Sequence, residues 1–309
     1  MQPATLLEAI KYFADPHSCL RFVADLRWPN GVACPRCQAK EPRFIKTRRL
    51  WECKGCRKQF SVKVGTIFED SAIGLDKWLC AIWMIVNAKN GVSSYEIHRS
   101  LGVTQKTAWF MMHRIRLALQ RGSVDKLKRE VEADETYIGG KARFMHADKK
   151  EKALRGTHGG NSGKAIVMGV LERHGKVRAE VVEAPTHKAL QSVIRKHVER
   201  GSEVFTDEHG SYLGLNAGYI HHVINHAESY VKGRVHTNSI ENFWSLLKRG
   251  LTGTYISVEP FHLFRYLDEQ SFRFNTRKGT DLDRFVAAVS AVSGRRVTYQ
   301  HLTGHAGSC

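Results

Sequence analysis

The chain has 309 residues, 42% hydrophobic and 25% charged, and this composition excludes a disordered protein. The length predicts two or three domains, each with a buried core. The 48 Lys and Arg residues outnumber the 30 Asp and Glu residues to give a formal net charge of +18, which indicates a polyanionic partner, most simply nucleic acid; a merely basic solvated surface is the alternative.

The N-terminal segment, residues 1–29, has a helical pattern that ends at Pro29. Acidic residues stand where a secretion signal would need a basic start, and no apolar run approaches the ~20 residues that cross a bilayer. We therefore expect a cytoplasmic, nucleoid-associated protein with no membrane partner.

Residues 30–70 contain two CxxC pairs about fifteen residues apart, with short strand-like stretches beside them. This spacing is typical of a zinc ribbon, in which four thiolates enclose one structural zinc ion and leave no open position for a substrate. The predicted zinc ligands are Cys34, Cys37, Cys53 and Cys56. Redox chemistry of a CxxC motif is the alternative, and the presence of two matched pairs argues against it.

Residues 71–122 are rich in bulky apolar residues at helical spacing and include SSYEIHRSLGVTQKTAWFMMHRIR. A glycine-containing turn at residues 101–103 separates two helical stretches, which is the order of a helix-turn-helix. We predict that the second helix contacts DNA through Gln105, Lys106, Thr107, Arg114 and Arg116. Many small helical bundles have the same turn without binding DNA, and that alternative stays open.

Residues 123–300 predict one α/β domain, because strand-like and helix-like stretches alternate along them. The order is strand, hairpin, helix, strand, strand and helix, with the hairpin turning at residues 174–176 and Thr186 capping the first helix. Residues 141–163 interrupt this order with glycines and cations, which is typical of a basic surface loop. Residues 301–309 are predicted to be a tail.

Three acidic residues lie at the ends or on the faces of these elements, namely Asp134, Asp207 and Glu241. A carboxylate trio suits phosphodiester chemistry, because two divalent cations about 3.5 to 4 Å apart activate the attacking oxygen and stabilise the leaving oxygen. Oxygen ligands favour hard cations such as magnesium, whereas histidine and cysteine would favour zinc.

Two of these acids have a simple alternative interpretation, and one has a context that favours metal. Asp134 stands between Glu132 and Glu135, and an acidic cluster at a buried strand end is costly unless cations neutralise it. Asp207 closes an apolar strand, where a turn or cap role is common. Glu241 by itself would be a solvated helix acid.

Helical spacing changes the interpretation of Glu241. Trp244 and Lys248 follow it by three and seven residues, hence on one helix face. An acid beside a buried tryptophan can meet aspartates at strand ends, while the lysine two turns further along reaches a phosphate.

The sequence resembles the DDE transposases of bacterial insertion sequences, in the ISXO-like branch with an N-terminal zinc ribbon. The resemblance extends from about residue 18 to residue 290, and besides the ribbon it rests on the motifs ADETYIGGK, FTDEHGSY, INHAESYV, VHTNSIENFWSLLKRGLTGTYISV and FRYLDEQSFRFNTR. It implies a multidomain protein of the α+β and α/β classes, with an RNase H-like catalytic domain built on a central mixed sheet.

The resemblance also implies a chemistry. Asp134, Asp207 and Glu241 would hold two Mg²⁺ or Mn²⁺ ions, and Lys248 and Arg249 would hold double-stranded DNA. Water would cleave the DNA at the terminal inverted repeats of the element, and the freed 3'-hydroxyls would attack target DNA without a covalent protein intermediate. A homodimer or higher oligomer would hold the two ends.

The third metal ligand has a rival. Asn238 lies one turn before Glu241, and some members of the branch resemble an Asp, Asp, Asn arrangement. An amide oxygen binds a hard cation without contributing charge, so we favour Glu241. His226 and His236 are candidates for orienting DNA, or are local hydrogen-bonding residues.

Two other functions compete with transposition. A DNA-binding regulator derived from a transposase would need only the ribbon and the helix-turn-helix, but the retained acids argue against it. A metal-dependent nuclease or resolvase of the same fold would use water in the same way and never join ends.

Overall fold

The computed structural model describes residues 3–120, 125–139, 163–208, 210–224 and 236–304. The chain forms two compact units, one of residues 1–121 with 276–309 and the other of residues 122–275. Most of the expected basic loop, together with His226 and the last five residues, lies outside the described residues.

Two helices open the first unit: α1 spans Leu6–Phe13 and α2 spans Pro16–Arg27. The helical pattern seen in the sequence is divided because Pro16 cannot continue a helix but fits the first turn of a new one. The Asp15 carboxylate accepts hydrogen bonds from two backbone amides of that turn and caps α2.

Three short strands form the ribbon: β1 (Arg43–Ile45), β2 (Leu50–Glu52) and β3 (Gln59–Phe60). They pair antiparallel in the order β1-β2-β3. Trp51 and Phe60 stack across two of them with ring centroids 5.9 Å apart. A sheet this small buries too little apolar surface to be stable alone, so its fold depends on further support.

Three longer helices complete this part of the first unit: α3 (Leu75–Asn87), α4 (Ser94–Leu101) and α5 (Gln105–Leu119). Ser93 starts α4 with a capping box. Gly102 ends α4 with a φ of +59°, a left-handed conformation that favours glycine. The turn between α4 and α5 is therefore the one expected from the sequence.

The second unit is built on a five-stranded mixed sheet in the order β6-β5-β4-β7-β8. Its strands are β4 (Glu130–Ile138), β5 (Ala165–Glu172), β6 (Val177–Val182), β7 (Glu203–Asp207) and β8 (Ile220–Ile224). β4 pairs antiparallel with β5 and parallel with β7, and β8 is parallel to β7. This arrangement confirms the predicted mixed sheet and is consistent with an RNase H-like fold.

Three helices accompany the sheet: α6 (His187–His197), α7 (Asn238–Gly253) and α8 (Leu263–Asn275). Thr186 caps α6 as predicted, because its side chain accepts the amide hydrogen of Ala189.

The sheet separates two apolar cores. Met168 and Val170 of β5 belong to the core that contains α6, whereas Val167 and Leu171 belong to the core that contains α7 and α8. Successive strand residues point to opposite faces, so each helix group covers one face. Along β4, the alternation places Glu132 and Asp134 together on one side of the strand.

The C-terminal part of the chain returns to the first unit. It contains α9 (Asp281–Ser290) and α10 (Tyr299–Leu302). Phe285 of α9 is buried and lies 4.9 Å from the ring of Trp83 and 5.6 Å from that of Phe22. The second unit therefore ends at residue 275 and not at residue 300, because the apolar face of α9 is buried among helices of the first unit.

Within the described residues, no helix is both long enough and apolar enough to cross a membrane.

Candidate active site

Two clusters of metal-binding side chains occur among the described residues, one in each unit. The first consists of the four cysteines predicted from the sequence, Cys34, Cys37, Cys53 and Cys56, whose sulfurs all lie within 4.8 Å of one another. The Sγ atoms of Cys34 and Cys56 are 3.8 Å apart, and those of Cys37 and Cys53 are 3.4 Å apart. Four thiolates around a tetrahedral zinc ion at 2.3 Å would be about 3.8 Å apart, so this cluster fits structural zinc.

The two CxxC turns have the same backbone geometry. Residues Gln38 and Arg57, each one position after the second cysteine of its pair, adopt φ values of +60° and +58°. Each turn is closed by a hydrogen bond from that residue's amide to the carbonyl of its pair's first cysteine, Cys34 or Cys53. The amide of Cys56 donates to the sulfur of Cys53 and lowers the pKa of that thiol to about 6. The amide of Ala39 acts in the same direction on Cys37, but hydrogen bonds with the neighbouring sulfurs outweigh it and raise the pKa of Cys37 to about 11.

The second cluster contains Asp134, Glu135 and Asp207, with one carboxylate oxygen of each within 4.8 Å of the others. Strand topology explains their proximity. β4 and β7 run parallel and pair as far as Glu132 and Phe205, and the acids follow directly after that point. Asp207 is the last residue of β7, whereas Asp134 and Glu135 lie in the middle of β4, which continues along β5 to Ile138. The three acids therefore meet where the parallel pairing of β4 and β7 ends, and the carboxyl end of parallel strands is the usual place for a ligand site in such folds.

The electrostatics of this cluster are unfavourable without a cation. Burial raises the pKa of Asp134 to about 7, and the nearby charges of Asp207 and Glu135 add to the effect. The Oδ1 atom of Asp207 is buried and accepts no hydrogen bond from the described residues. A buried carboxylate oxygen without a partner, beside two further carboxylates, fits a divalent cation with oxygen ligands.

Trp244 of α7 contacts the cluster directly. Its indole Nε1 donates a 2.9 Å hydrogen bond to Oδ2 of Asp134. The ring has room because Gly169 lies opposite Asp134 in the β4–β5 register, and a Cβ there would come within 2.6 Å of the indole. The sequence placed the acid of this helix, Glu241, against the aspartates and did not predict the contact of Trp244 with Asp134.

Glu132 fixes the N-terminus of the same helix. Its side chain is fully buried, and Oε2 accepts 2.9 Å hydrogen bonds from the backbone amides of Ser239 and Ile240. Oε1 accepts a 2.9 Å bond from Arg173, so the charge of Glu132 is compensated twice. Thr237 provides no side-chain cap, and the carboxylate from β4 takes that role. Glu132 is thus a positioning residue outside the carboxylate cluster.

His236 lies beside this anchor. Its Nδ1 is 3.4 Å from Oε1 of Glu132, and its carbonyl accepts a 2.8 Å hydrogen bond from Arg173. These contacts favour the local structural role that the sequence left open for His236.

The remaining predicted site residues of α7 are exposed. The carboxylate of Glu241 accepts a 2.9 Å hydrogen bond from the hydroxyl of Thr237 and is not part of the three-acid cluster. Asn238 lies in the first turn, and Lys248 and Arg249 lie two turns further along. The helix therefore carries Glu241 one turn before Trp244, on the side that contacts Asp134.

Glu135 is a cluster member that the sequence did not single out. Its Oε2 accepts a hydrogen bond from the hydroxyl of Tyr212, which is buried in the core under α6. The adjacency of Asp134 and Glu135 was a visible signal, but alternation along β4 predicts opposite directions for the two side chains. The structure nevertheless brings one carboxylate oxygen of each within 4.8 Å of the other.

The residues of α5 that were predicted to contact DNA fall into an exposed group and a buried group. Gln105 and Thr107 are partly exposed and Lys106 is exposed at the start of α5. The prediction of DNA contacts for Arg114 and Arg116 is wrong, because their exposed fractions are 5% and 1%.

The guanidinium of Arg114 has an internal role. It donates to the carbonyls of Ile67 at 2.9 Å and Glu69 at 2.8 Å, and to that of Val297 at 3.4 Å. Helical spacing alone could not distinguish these buried cations from solvated ones, because long basic side chains occur on both faces of a helix.

Comparison with known proteins agrees with this description. Residues 126–275, almost the whole second unit, match the ISXO2-like transposase domain, and residues 15–59 match the transposase zinc-ribbon domain. A protein of Halobacterium salinarum in the transposable element ISH50 is 28% identical over 258 residues, covering 79% of this chain and 85% of the relative. A transposase-like protein of Haemophilus influenzae is 34% identical over 101 residues, covering 32% of this chain and 81% of the relative.

Both domain matches and both relatives lead to the same family, and the cysteine and carboxylate clusters occupy the two matched regions. The two domains imply an interaction with DNA. The chain belongs to the ISXO2-like transposase family and carries a transposase zinc ribbon ahead of its transposase domain.

Proposed function

We propose that this chain binds the terminal inverted repeats of an insertion sequence, cleaves the DNA at those ends and joins the 3'-hydroxyls to target DNA. The observation that carries the proposal is the cluster of Asp134 and Glu135 in the middle of β4 with Asp207 at the end of the parallel strand β7, where an oxygen of Asp207 is buried and has no partner among the described residues. Such a cluster is suited to phosphoryl transfer on an anionic substrate.

Asp134 and Asp207 are proposed to hold two Mg²⁺ or Mn²⁺ ions, with Glu241 as the third ligand. When bound, the two cations would activate the attacking oxygen, stabilise the leaving oxygen and offset the phosphate charge. To do so, Glu241 would give up its hydrogen bond from Thr237 and turn toward the cluster, and its exposed side chain is free to rotate. Asn238 remains the alternative ligand, and Glu135 becomes a second one through its place in the cluster.

The other residues of α7 would position these groups and the DNA. Trp244 orients the Asp134 carboxylate, and Glu132 holds the first turn of the helix against β4. Lys248 and Arg249 are exposed and would contact phosphates on the same face as Glu241. In the first unit, the zinc ribbon and residues Gln105, Lys106 and Thr107 at the start of α5 would recognise the ends, with a homodimer or higher oligomer holding two ends together.

The direct test uses duplexes from the two boundaries of the element that carries the gene. With Mg²⁺, the wild type should nick each duplex at the element end and join the 3'-hydroxyl to a supercoiled plasmid. Asp134→Asn and Asp207→Asn should bind the duplexes with unchanged affinity and neither nick nor join. Nicking without joining would show a nuclease, and binding without either reaction would favour a regulator.

The third ligand is tested with three single variants, Glu241→Gln, Glu135→Gln and Asn238→Ala. We expect Glu241→Gln to abolish nicking and the other two to keep most of it. Glu135 already has a protein donor in Tyr212, so its amide variant retains a partner. An active Glu241→Gln protein together with an inactive Asn238→Ala or Glu135→Gln protein would reassign the ligand.

A further inference from the structure

The loop that follows α7, residues 254–262, exposes large apolar side chains. Ile256 is 82% exposed and Phe261 is 60% exposed. Phe264, in the first turn of α8, is 40% exposed, with the guanidinium of Arg265 4.6 Å from its ring centroid. We call residues 254–262 the apolar loop.

Two residues of the apolar loop, Tyr255 and Val258, anchor it to the core of the second unit. The hydroxyl of Tyr255 donates to the carboxylate of Glu269, and its ring centroid lies 4.8 Å from that of Tyr266. Val258 packs against the core under α7 and α8. The loop therefore has a defined shape, in which Tyr255 and Val258 point inward while the two residues between them, Ile256 and Ser257, are exposed to solvent.

The backbone at Ile256 has to be strained to produce this shape. Its φ is +62°, a left-handed conformation that β-branched residues rarely adopt. An exposed isoleucine gains no burial from this conformation in the free chain. Strain of this kind is kept where a side chain has to be presented to a partner.

The chemistry around the loop favours DNA as that partner. α7 contacts Asp134 through Trp244 and then carries the exposed cations Lys248 and Arg249 toward the loop. From Trp244 to the end of α7 at Gly253, nine residues rise about 14 Å, or about four base-pair steps of 3.4 Å. The whole chain has a formal net charge of +18.

A second copy of the chain fits the loop less well. The exposed parts of its two side chains and of Phe264 amount to on the order of 300 to 400 Å². A stable protein interface needs about 800 Å² from each partner. Apolar side chains such as isoleucine and phenylalanine, in contrast, serve as small wedges that unstack and kink a duplex.

We propose that Ile256 and Phe261 form an apolar wedge that inserts between base pairs of the bound DNA, about four steps from the phosphate that faces Asp134. The proposal rests on the proposed function for its choice of DNA. It adds a distortion of the duplex about four base-pair steps away from the carboxylate cluster.

The test uses duplexes from the element boundaries with 2-aminopurine placed at successive adenines. Binding of the wild type should raise fluorescence at one step inside the end. Phe261→Ala and Ile256→Gly should remove this rise and slow nicking about tenfold. Ile220→Ala is the matched control, because Ile220 is 56% exposed and pairs with Glu203, at the opposite end of β8 from Asp207.

Two measurements separate a wedge from a loop that merely supports the fold. Ile256→Gly should melt no lower than the wild type, since glycine adopts the left-handed conformation freely. A mismatch at the responsive step should restore nicking by Phe261→Ala, because the DNA is then already unstacked. Mismatched DNA could not repair a misfolded loop.

Unchanged fluorescence in both variants, or no rise with the wild type, would overturn the wedge. A lower sedimentation coefficient of Phe261→Ala with a normal fluorescence rise would instead assign the loop to a contact between copies. If the wild type raises fluorescence but does not nick, the proposed function fails while the wedge stands. If it nicks without any rise, the wedge fails alone.

Discussion

The cysteine cluster and the carboxylate cluster each hold their ligand atoms within 4.8 Å of one another, but only the cysteines form a complete set of ligands for a metal ion. The four cysteines come from two matching turns, and their sulfurs have tetrahedral spacing. The carboxylates come from the middle of β4 and the end of β7. One oxygen of Asp207 has no partner among the described residues, and burial raises the pKa of Asp134 to about 7.

We expect this difference to separate a cation that builds a fold from one that would serve the proposed reaction. The ribbon has three strands of two or three residues and needs its ion to fold. The carboxylates stand on a sheet that has an apolar core on each face, and we expect this sheet to fold without bound cations. Their mutual repulsion is a cost that the rest of the second unit tolerates.

The largest expected effect is on the ribbon. Cys53→Ser or removal of zinc by a chelator should unfold the segment around the four cysteines, because zinc binding contributes about 10 kcal/mol or more to such small domains. The measurements are the zinc content and amide hydrogen exchange. Cys80→Ser, outside the cluster, is the control and should keep both unchanged. If the zinc-free ribbon kept its amides protected from exchange, it would fold without its ion, and the two clusters would no longer differ in this respect.

A smaller effect on stability is expected for Gly169, which leaves room for the ring of Trp244. Gly169→Ala places a Cβ 2.6 Å from the Trp244 ring and should lower the free energy of unfolding by about 1 to 3 kcal/mol. Gly253→Ala is the control, since nothing lies within 4 Å of a Cβ at that position. Urea unfolding measures both. Equal stability of the two variants would mean that Trp244 is not closely packed at the cluster.

An effect of opposite sign is expected at the carboxylates. Without divalent cations, Asp207→Asn should raise the free energy of unfolding by about 1 to 2 kcal/mol, because it removes a like charge beside Asp134. Mg²⁺ should stabilise the wild type and not this variant. Glu241→Gln, outside the three-acid cluster, should leave the metal-free stability unchanged. A less stable Asp207→Asn protein would show that the cluster is structural.

The smallest effect is expected for the exposed basic side chains of α7. Lys248→Ala should reduce the slope of log affinity against log salt by about 0.9, the contribution of one phosphate contact. Lys188→Ala is the control, because Lys188 is an exposed cation on α6, across the sheet from α7. The affinities are measured by fluorescence anisotropy with element-end duplexes. Equal slopes for both variants would separate Lys248 from the DNA path.

Local patterns predicted much of the secondary structure. The capped helix after Thr186 and the hairpin at residues 174–176 occur as expected, because caps and turns depend on near neighbours. The buried state of Arg114 and Arg116 was missed, because burial depends on what packs against the helix. The place of α9 was missed for the same reason, since its apolar face is compatible with either unit.

The sequence by itself determined the family, and it predicted the four cysteines as zinc ligands and Asp134 and Asp207 as a carboxylate pair, because the spacing of chemically distinctive residues can be recognised without coordinates. Only the tertiary structure decided that Glu132 caps α7, that Glu135 joins the carboxylates and that Gly169 makes room for Trp244. Each of these contacts joins residues that are distant along the chain, or joins side chains that strand alternation would place on opposite faces. Such contacts depend on how strands and helices pack, and no local pattern encodes that packing.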